Sequence, residues 1–387
     1  MNLAMLDFAL AQLKRRRWKN LALFFIFSLL IWLVTSVFFI AASVKKELFV
    51  TVDALPQIFV QRMVAGRLEP IETARIEKIE EIAGVEAAYP RVWGYYYFAP
   101  AGVNFSVVGL DMGDVSYKEN FNDIIANEEL DEDEMIVGEG VRRILSEHYY
   151  KDFFNFITPT GEFVRVKVAG TFGAVSALES SDTILLPIQT ARKIFLLPDH
   201  LATDIVLKVP NITELPTVAR KIRELYPDVR VITTEDIKAS YQNIFDYKSG
   251  LFLALLIGAF LAFFILVFEK ASSVERTQIK EIAILKALGW RISDILRLKF
   301  FEALLVITGS FLVGTIGAYF FVFVLQAPLL RDLFSGFSVL KPRFDLLPVW
   351  DWGVVSSIFF ITVPLYLAAV IIPSWRASVT DPEEALR

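Results

Sequence analysis

Four stretches of this 387-residue chain contain no Asp, Glu, Lys, Arg or His, and they dominate its hydropathy pattern. They cover residues 20–44, 249–268, 303–330 and 352–375. A helix needs roughly 17–25 mostly apolar residues to cross the hydrocarbon core of a bilayer, and each stretch is that long. The pattern therefore predicts four transmembrane helices, and it excludes a soluble globular enzyme, a disordered protein and a disulfide-linked scaffold.

A fifth charge-free stretch, residues 92–110, has a different pattern. Pro100 lies there in a Pro-Ala-Gly turn, and the residues on both sides are aromatic and β-branched. This composition is typical of strands. We therefore predict two buried strands joined by a turn, not a fifth span.

The 204 residues between the first two spans, 45–248, alternate helical and strand patterns. Pro70 and the apolar spacing after it predict a helix over 70–83. The other predicted segments are strands at 85–98, 104–110, 163–170 and 204–209, and helices at 138–147, 187–196, 213–226 and 234–248. We predict an α-helical membrane protein with four transmembrane helices and a large α+β extracytoplasmic domain between helices 1 and 2. Two small lobes within this domain are an open alternative, and its last helix is expected to pair with an extension of the first span as a stalk.

The distribution of Lys and Arg predicts the orientation, because basic residues accumulate on the cytoplasmic side. Five basic residues lie in 1–19 and seven in 269–302, against three in 331–351. We therefore expect a multi-pass protein of the inner membrane with both termini in the cytoplasm and an uncleaved first span. Residues 45–248 then carry a net charge of −10, from 22 Lys/Arg and 32 Asp/Glu.

The pattern divides the chain into nine segments. They are a cytoplasmic amphipathic elbow helix (1–19), transmembrane helix 1 (20–44), the extracytoplasmic domain with its stalk (45–248), transmembrane helix 2 (249–268), a cytoplasmic coupling loop (269–302), transmembrane helix 3 (303–330), a short external loop (331–351), transmembrane helix 4 (352–375) and a cytoplasmic tail (376–387). In the elbow, Leu3, Leu6, Leu10 and Leu13 form one apolar stripe, which predicts a helix lying along the membrane surface. Contact of the same helix with a cytoplasmic partner remains open.

Residues for catalysis or metal binding are scarce. The predicted spans contain no ionisable side chain, whereas ion-driven transporters use such groups within the membrane. The chain has no Cys and only His148 and His200, so a zinc site is not expected. The acidic run 128–134 lacks the glycine of a calcium-binding loop, and we interpret it as a solvated loop. No metal site and no catalytic activity are predicted.

Small residues at four-residue spacing indicate close helix packing in two spans. The second span has Ala254, Gly258 and Ala262, and the third has Gly314 and Ala318. The sequence does not distinguish packing within one bundle from packing between two copies of the chain.

The loop 269–302 predicts two helices separated by a tight turn. Ile279, Ile282 and Ala283 share one helical stripe, and Gly289 is suited to end that helix because it tolerates a left-handed backbone. Ser293 is then a candidate N-cap of the second helix. Trp290 beside the turn is costly to expose, so we expect a partner protein or lipid headgroups to cover it.

The loop and the tail resemble the FtsX/MacB-type family of ABC permeases, which includes permeases of lipoprotein-release systems. In the loop, the resemblance lies in Glu275-Arg276 and in the run from Lys280 to Trp290. In the tail, it lies in Pro373, Trp375, Arg376, Ala377, Asp381, Pro382, Glu384, Ala385, Leu386 and Arg387. Weaker matches occur in the external domain at 107–111 and 136–140.

The resemblance implies a permease subunit without a fused ATPase. The chain contains no Gly-Lys pair and hence no phosphate-binding P-loop, so ATP and Mg would be bound by a cytoplasmic ABC ATPase on another chain. Two ATPases closing on ATP would move the spans and, through them, the external domain, which is called mechanotransmission. By this resemblance the ATPase-coupling residues are Glu275, Arg276, Lys280, Glu281, Ile282, Leu285, Lys286, Ala287, Leu288, Gly289 and Trp290.

The resemblance leaves several properties open. A second permease copy in a homo- or heterodimer, a periplasmic adaptor or acceptor, and membrane lipids are expected partners, and nucleic acid is not. Export or extraction of a lipid-linked or hydrophobic substrate is the leading function. The alternative is a sensor that transmits an external signal through its ATPase partner without transport.

Overall fold

The structure, a computed structural model, describes residues 3–53, 55–111, 130–172, 181–245, 250–272, 276–328, 330–331 and 345–379. The chain divides into two compact units. The membrane unit comprises residues 1–44, 245–331 and 346–387, and the external unit comprises residues 45–244 and 332–345. Each unit is described separately below.

Eleven α-helices occur among the described residues. In chain order they are α1 (Leu3–Arg15), α2 (Arg17–Asp53), α3 (Arg75–Glu80), α4 (Glu139–Glu147), α5 (Ile188–Phe195), α6 (Leu215–Leu225), α7 (Thr234–Phe245), α8 (Gly250–Ser272), α9 (Arg276–Ala287), α10 (Ile292–Tyr319) and α11 (Trp352–Val379). A π-helical turn, Phe320–Val324, continues α10.

The described part of the external unit contains twelve strands. They are β1 (Ile58–Val64), β2 (Arg67–Glu69), β3 (Ile71–Glu72), β4 (Ala87–Phe98), β5 (Val103–Leu110), β6 (Glu134–Gly138), β7 (Phe153–Ile157), β8 (Phe163–Phe172), β9 (Thr183–Pro187), β10 (Leu201–Ala202), β11 (Asp204–Lys208) and β12 (Val229–Thr233). Ten of them form one sheet in the order β12-β1-β11-β4-β5-β9-β6-β8-β7, with β2 on β1. Two pairs, β5/β9 and β6/β8, are parallel, which gives the predicted α+β class.

Two separate hydrophobic cores lie against this sheet. Helices α3 and α6 cover β1, β11 and β12, where Ile79 and Ile222 are fully buried. Helices α4 and α5 cover β5, β6 and β9, where Ile144 and Ala191 are fully buried. The long strand β4 belongs to both cores. Ala88 near its start packs in the first core, and residues of its C-terminal half pack in the second. The external unit therefore has two lobes built on a continuous sheet.

A buried ion pair connects two central strands. Asp204 of β11 is fully buried opposite Arg91 of β4, and its carboxylate accepts hydrogen bonds from Arg91 Nε at 2.8 Å and Nη2 at 2.7 Å. Trp93 Nε1 donates a third bond at 2.9 Å. An ionised carboxylate survives burial only when its oxygens are paired in this way.

The structure confirms one of two sequence-based predictions for the external unit and corrects the other. The predicted strands within 92–110 are confirmed, since β4 and β5 form an antiparallel hairpin across this stretch. The predicted helix over 70–83 is wrong in its length, because Ile71 pairs with Ala202 in a two-stranded sheet and α3 covers only six residues. Pairing with a distant strand overrides the local helical pattern there.

A second ion pair gives the external unit a pH dependence. Arg75 donates to both carboxylate oxygens of Asp228, at 2.8 and 3.0 Å, and this hydrogen-bonded guanidinium lowers the pKa of Asp228. A carboxylate whose folded pKa is lowered stabilises the fold above its unfolded pKa of about 4, and that contribution is lost as the pH falls through the folded pKa.

Substitution Asp228→Asn is therefore expected to lower the melting temperature of the full chain at pH 6 by a few degrees, and the difference from wild type should shrink by pH 3. Thermal unfolding in detergent followed by tryptophan fluorescence measures both. A difference that stayed constant between the two pH values would contradict the assigned ion pair.

The membrane unit contains the long apolar helices. Three described helical segments, 17–53, 292–324 and 352–376, are long and apolar enough to span a membrane. The second charge-free stretch lies on α8, whose described apolar part, 253–269, is shorter than the others. The third stretch was expected to be helical to residue 330, whereas the helical structure ends at Val324. A total of four spans stays a prediction.

Candidate coupling surface

The loop between the second and third apolar stretches forms a helix, a tight turn and a second helix. Helix α9 ends at Ala287, and Gly289 follows with φ +88°. Gly289 N donates to Lys286 O at 2.9 Å and Trp290 N donates to Leu285 O at 3.1 Å, the two bonds of a Schellman motif. The predicted role of Gly289 is confirmed. Ser293 is not the N-cap, because α10 begins at Ile292 and Asp294 accepts from Arg291 N.

One face of α9 is buried inside the membrane unit. Ile282 and Leu285 pack in a cluster with Ile295 and Leu298 of α10 and with Ala9 of α1. These residues are less than a tenth exposed. Helix α1 therefore completes the hydrophobic core of the helix–turn–helix, although it lies at the other end of the sequence.

Two side-chain contacts join α1 to the same element. The guanidinium groups of Arg15 and Arg16 both pair with the carboxylate of Glu281, the latter at 3.1 Å. The ring of Phe8 lies 5.4 Å from the ring of Trp290. We call this set, together with the buried cluster, the elbow contact. Trp290 is partly covered by this chain's own α1, and further cover by a partner protein or by headgroups stays a prediction.

The structure thus places four predicted coupling residues in contacts within the chain, namely Glu281, Ile282, Leu285 and Trp290. Ile282 and Leu285 are buried, and Glu281 and Trp290 are partly buried. Sequence reasoning missed the contacts with α1 because Glu281 and Trp290 meet residues at the opposite end of the sequence. In the sequence, the basic cluster and the apolar residues of α1 were the features that could have indicated these contacts.

The opposite face of α9 is exposed. Leu288 is 71% exposed and Ile284, which was not among the predicted coupling residues, is 52% exposed. Lys280 and Ala287 are exposed beside them, and positions three, four and seven apart share one helical face. We call Lys280, Ile284, Ala287 and Leu288 the outer face. Clustered exposed apolar side chains with a charged neighbour are typical of a protein-binding surface.

The remaining predicted coupling residues have varied positions. Glu275 and the tail beyond residue 379 lie outside the described residues, and Arg276 begins α9. Lys286 is partly buried, and Gly289 is exposed at the turn.

The small residues predicted to pack helices fall into two groups. A Cβ atom on Gly314 would lie 2.8 Å from Ser28 O and 2.9 Å from the side chain of Ile31, and Ala318 is fully buried. The third-span pair therefore packs against α2 within this chain. The second-span residues are exposed, and a Cβ atom on Gly258 would meet nothing within 4 Å. The exposed second-span residues are Ala254, Gly258 and Ala262.

No group of three His, Asp or Glu side chains that could hold a metal ion occurs within the described ranges. In the described part of the acidic run, Glu132 pairs with Lys193 and Glu134 pairs with Lys167. The hydrogen bond from Lys167 lowers the pKa of Glu134. These contacts are ordinary surface ion pairs.

Comparison with known families covers most of the chain. A family model described as FtsX-like permease C-terminal matches residues 250–382, and one described as MacB-like periplasmic core domain matches residues 26–225, just over half of the chain. The chain belongs to the FtsX/MacB-type permease family. The FtsX-like match includes α9, the Schellman turn and α10, and the MacB-like match includes most of the two-lobed external unit.

Two solved structures are similar to about half of this chain. The periplasmic region of MacB from Actinobacillus actinomycetemcomitans is 8% identical, with a TM-score of 0.33 over 49% of this chain and 94% of that chain. The extracellular domain of the noncanonic ABC-type transporter YknZ from Gram-positive bacteria is 11% identical, with a TM-score of 0.30 over 46% of this chain and 100% of that chain. The search of curated proteins found no match. The family assignment therefore rests on the two family models.

Membership has direct consequences for this FtsX/MacB-type permease. Permeases of this family are membrane components of ABC transporters that work with cytoplasmic ABC ATPases, and they are not themselves catalytic. Together with the apolar helices, membership indicates a multi-pass protein of the inner membrane.

Proposed function

We propose that this chain is the permease subunit of an ABC transporter and that the outer face of α9 binds a separate ATPase chain. The exposure of Leu288 and Ile284, on a helix whose other face is buried, is the observation that supports this most directly. The ATPase binds ATP and Mg and supplies the catalytic activity. This chain supplies the outer face, to which the ATPase binds.

The elbow contact holds helix α9 firmly against its neighbouring helices. The buried cluster fixes helix α9 to α10. The ion pair between Glu281 and Arg16 fixes α9 to the segment that directly precedes α2. A displacement of α9 by the ATPase is therefore imposed on the first and third apolar helices together. Rigid elements held by packed side chains are suited to transmit such motion.

We propose further that the motion reaches the external domain and acts on a lipid-linked or hydrophobic substrate there. The four charge-free stretches offer no Asp, Glu, Lys, Arg or His for ion coupling, which favours mechanical use of the spans. Helix α2 continues to Asp53, whose carboxylate accepts a hydrogen bond from Lys238 of α7. This pair supports the expected stalk. Both termini then lie in the cytoplasm, as the basic segments predict.

The exposed small residues of α8 support a second permease copy as a partner. Ala254, Gly258 and Ala262 leave an open strip along an apolar helix, so another helix can approach closely. The third-span residues Gly314 and Ala318 are already used within the chain. We therefore assign dimer contact to the second span.

Co-purification tests the docking role. The full chain, extracted from its native membrane in mild detergent, is expected to bring with it an ATPase that contains a phosphate-binding P-loop. Gly289→Pro should reduce the recovered ATPase at least tenfold, because proline cannot adopt φ +88° and the turn must open. Gly161→Pro, the same substitution at an exposed turn of the external unit that also has φ +88°, is the matched control and should retain the ATPase.

Recovery without any ATPase, or equal recovery with Gly289→Pro, would overturn the proposal. If the ATPase binds but no candidate lipid-linked substrate is released from membranes on ATP addition, the alternative of a signalling subunit is favoured over transport.

A further inference from the structure

A polar cavity of about 70 Å³ lies within the membrane unit, where α1, α10, α11 and the start of α2 meet. A water molecule needs only roughly 10–15 Å³ of such space, so a group of several non-hydrogen atoms fits. Its polar lining comes from Gln12, Arg16, Asn20, Lys299, Glu302 and Ser374.

The cavity lies at the level where three apolar stretches end. Asn20 is the first residue of the first stretch, Glu302 directly precedes the third and Ser374 is the next-to-last residue of the fourth. The change from apolar to charged sequence marks the boundary between hydrocarbon and headgroups. The cavity is therefore placed at headgroup depth on the α1 side of the membrane, and it is open to the surroundings of the protein.

The charges of the lining have both signs. Lys299 Nζ donates to one carboxylate oxygen of Glu302 at 2.7 Å and lies 3.4 Å from Gln12 Oε1. Arg16 pairs with Glu281 through one nitrogen and has further N–H donors. The second oxygen of Glu302, Oε1, is buried and has no hydrogen-bond partner among the described residues.

A buried carboxylate oxygen without a partner is costly and indicates a missing donor. The donor must be small, because the space is small. A primary ammonium group has three N–H donors and a positive charge, and it also complements the negative charge of Glu302. The two cations of the lining, Arg16 and Lys299, suit an anion attached to the same molecule.

We propose that this cavity binds the headgroup of phosphatidylethanolamine. Its ammonium donates to Glu302, and its phosphate lies against Arg16 and Lys299. The headgroup carries one charge of each sign, and the lining offers the carboxylate of Glu302 to the ammonium and its two cations to the phosphate. A purely anionic lipid would leave the Glu302 oxygen without a donor, and a quaternary ammonium has no N–H to give it. The proposal is independent of ATPase docking, because it concerns the chain alone.

Native mass spectrometry of the detergent-purified full chain tests the proposal. Phosphatidylethanolamine, phosphatidylcholine and phosphatidylglycerol with identical acyl chains are titrated separately. One phosphatidylethanolamine per chain should bind about tenfold more tightly than either other lipid, the effect of one charge-assisted hydrogen bond. Glu302→Gln should remove that preference. Glu269→Gln, an exposed carboxylate just beyond the second apolar stretch, is the control and should retain it.

Three results would overturn the proposal. They are equal binding of phosphatidylethanolamine and phosphatidylcholine, tighter binding of phosphatidylglycerol, and an unchanged preference in Glu302→Gln. The first two use the wild-type chain, so the test does not depend on the folding of a variant. Mass separates the chain alone from any complex with an ATPase, and binding is read on the chain alone, so failure here leaves the docking proposal untouched.

Discussion

Leu288→Glu is expected to reduce the amount of ATPase that co-purifies with the chain at least tenfold, while the membrane unit stays folded. The side chain is 71% exposed in the outer face of α9, so its replacement leaves the buried cluster of the loop intact. Burial of a leucine in an interface contributes about 1.5–3 kcal/mol, and an unpaired carboxylate in its place adds a desolvation cost. Ile284→Glu should have the same effect.

Leu225→Glu is the matched control, because Leu225 is a 41% exposed leucine on a helix of the external unit. ATPase recovery is measured by quantitative gel analysis after extraction in mild detergent. Circular dichroism of each variant reports the fold. Normal recovery with both Leu288→Glu and Ile284→Glu would show that the outer face is not the docking surface.

Asp204→Ala should lower the free energy of unfolding of the external unit by about 3–5 kcal/mol, the usual cost of removing one partner of a buried ion pair. The substitution removes the carboxylate that pairs with the Arg91 guanidinium, and Trp93 Nε1 loses its acceptor. Because domains are stable by only about 5–15 kcal/mol, this is a large fraction of the total.

Urea unfolding of the full chain in detergent, followed by tryptophan fluorescence, measures the loss. Asp199→Ala is the control, since that carboxylate is 87% exposed and its change should cost less than about 0.5 kcal/mol. The double substitution Arg91→Met with Asp204→Leu should recover much of the stability, because an apolar pair avoids the desolvation of two charges. Equal losses for Asp204→Ala and Asp199→Ala would contradict the assigned burial.

The sequence predicted those features that depend on local composition. The apolar stretches 20–44 and 352–375 were found by length and hydropathy alone. Gly289 was assigned as a helix terminator because a left-handed residue is needed after a helix and glycine adopts that conformation readily. The hairpin within 92–110 was recognised from its turn and its β-branched residues.

Features that depend on distant partners were not predictable in the same way. The contacts of Glu281 and Trp290 with α1 were not foreseen, because no local signal identifies a partner hundreds of residues away. Their role in ATPase coupling stays a prediction. Ile284 was missed because the resemblance emphasised its neighbours. The short buried strands β6 and β9 were missed because a five-residue apolar run does not distinguish strand from helix.

The twelve-residue strand β4 has a consequence for how this domain can vary. One end of β4 contributes to the core under α3 and α6, and the other end contributes to the core under α4 and α5. Neither lobe can be deleted, or replaced by a lobe from another protein, without cutting a strand that the remaining lobe needs. We therefore expect a chimera that exchanges one lobe to fold only if the whole of β4 is kept in one piece.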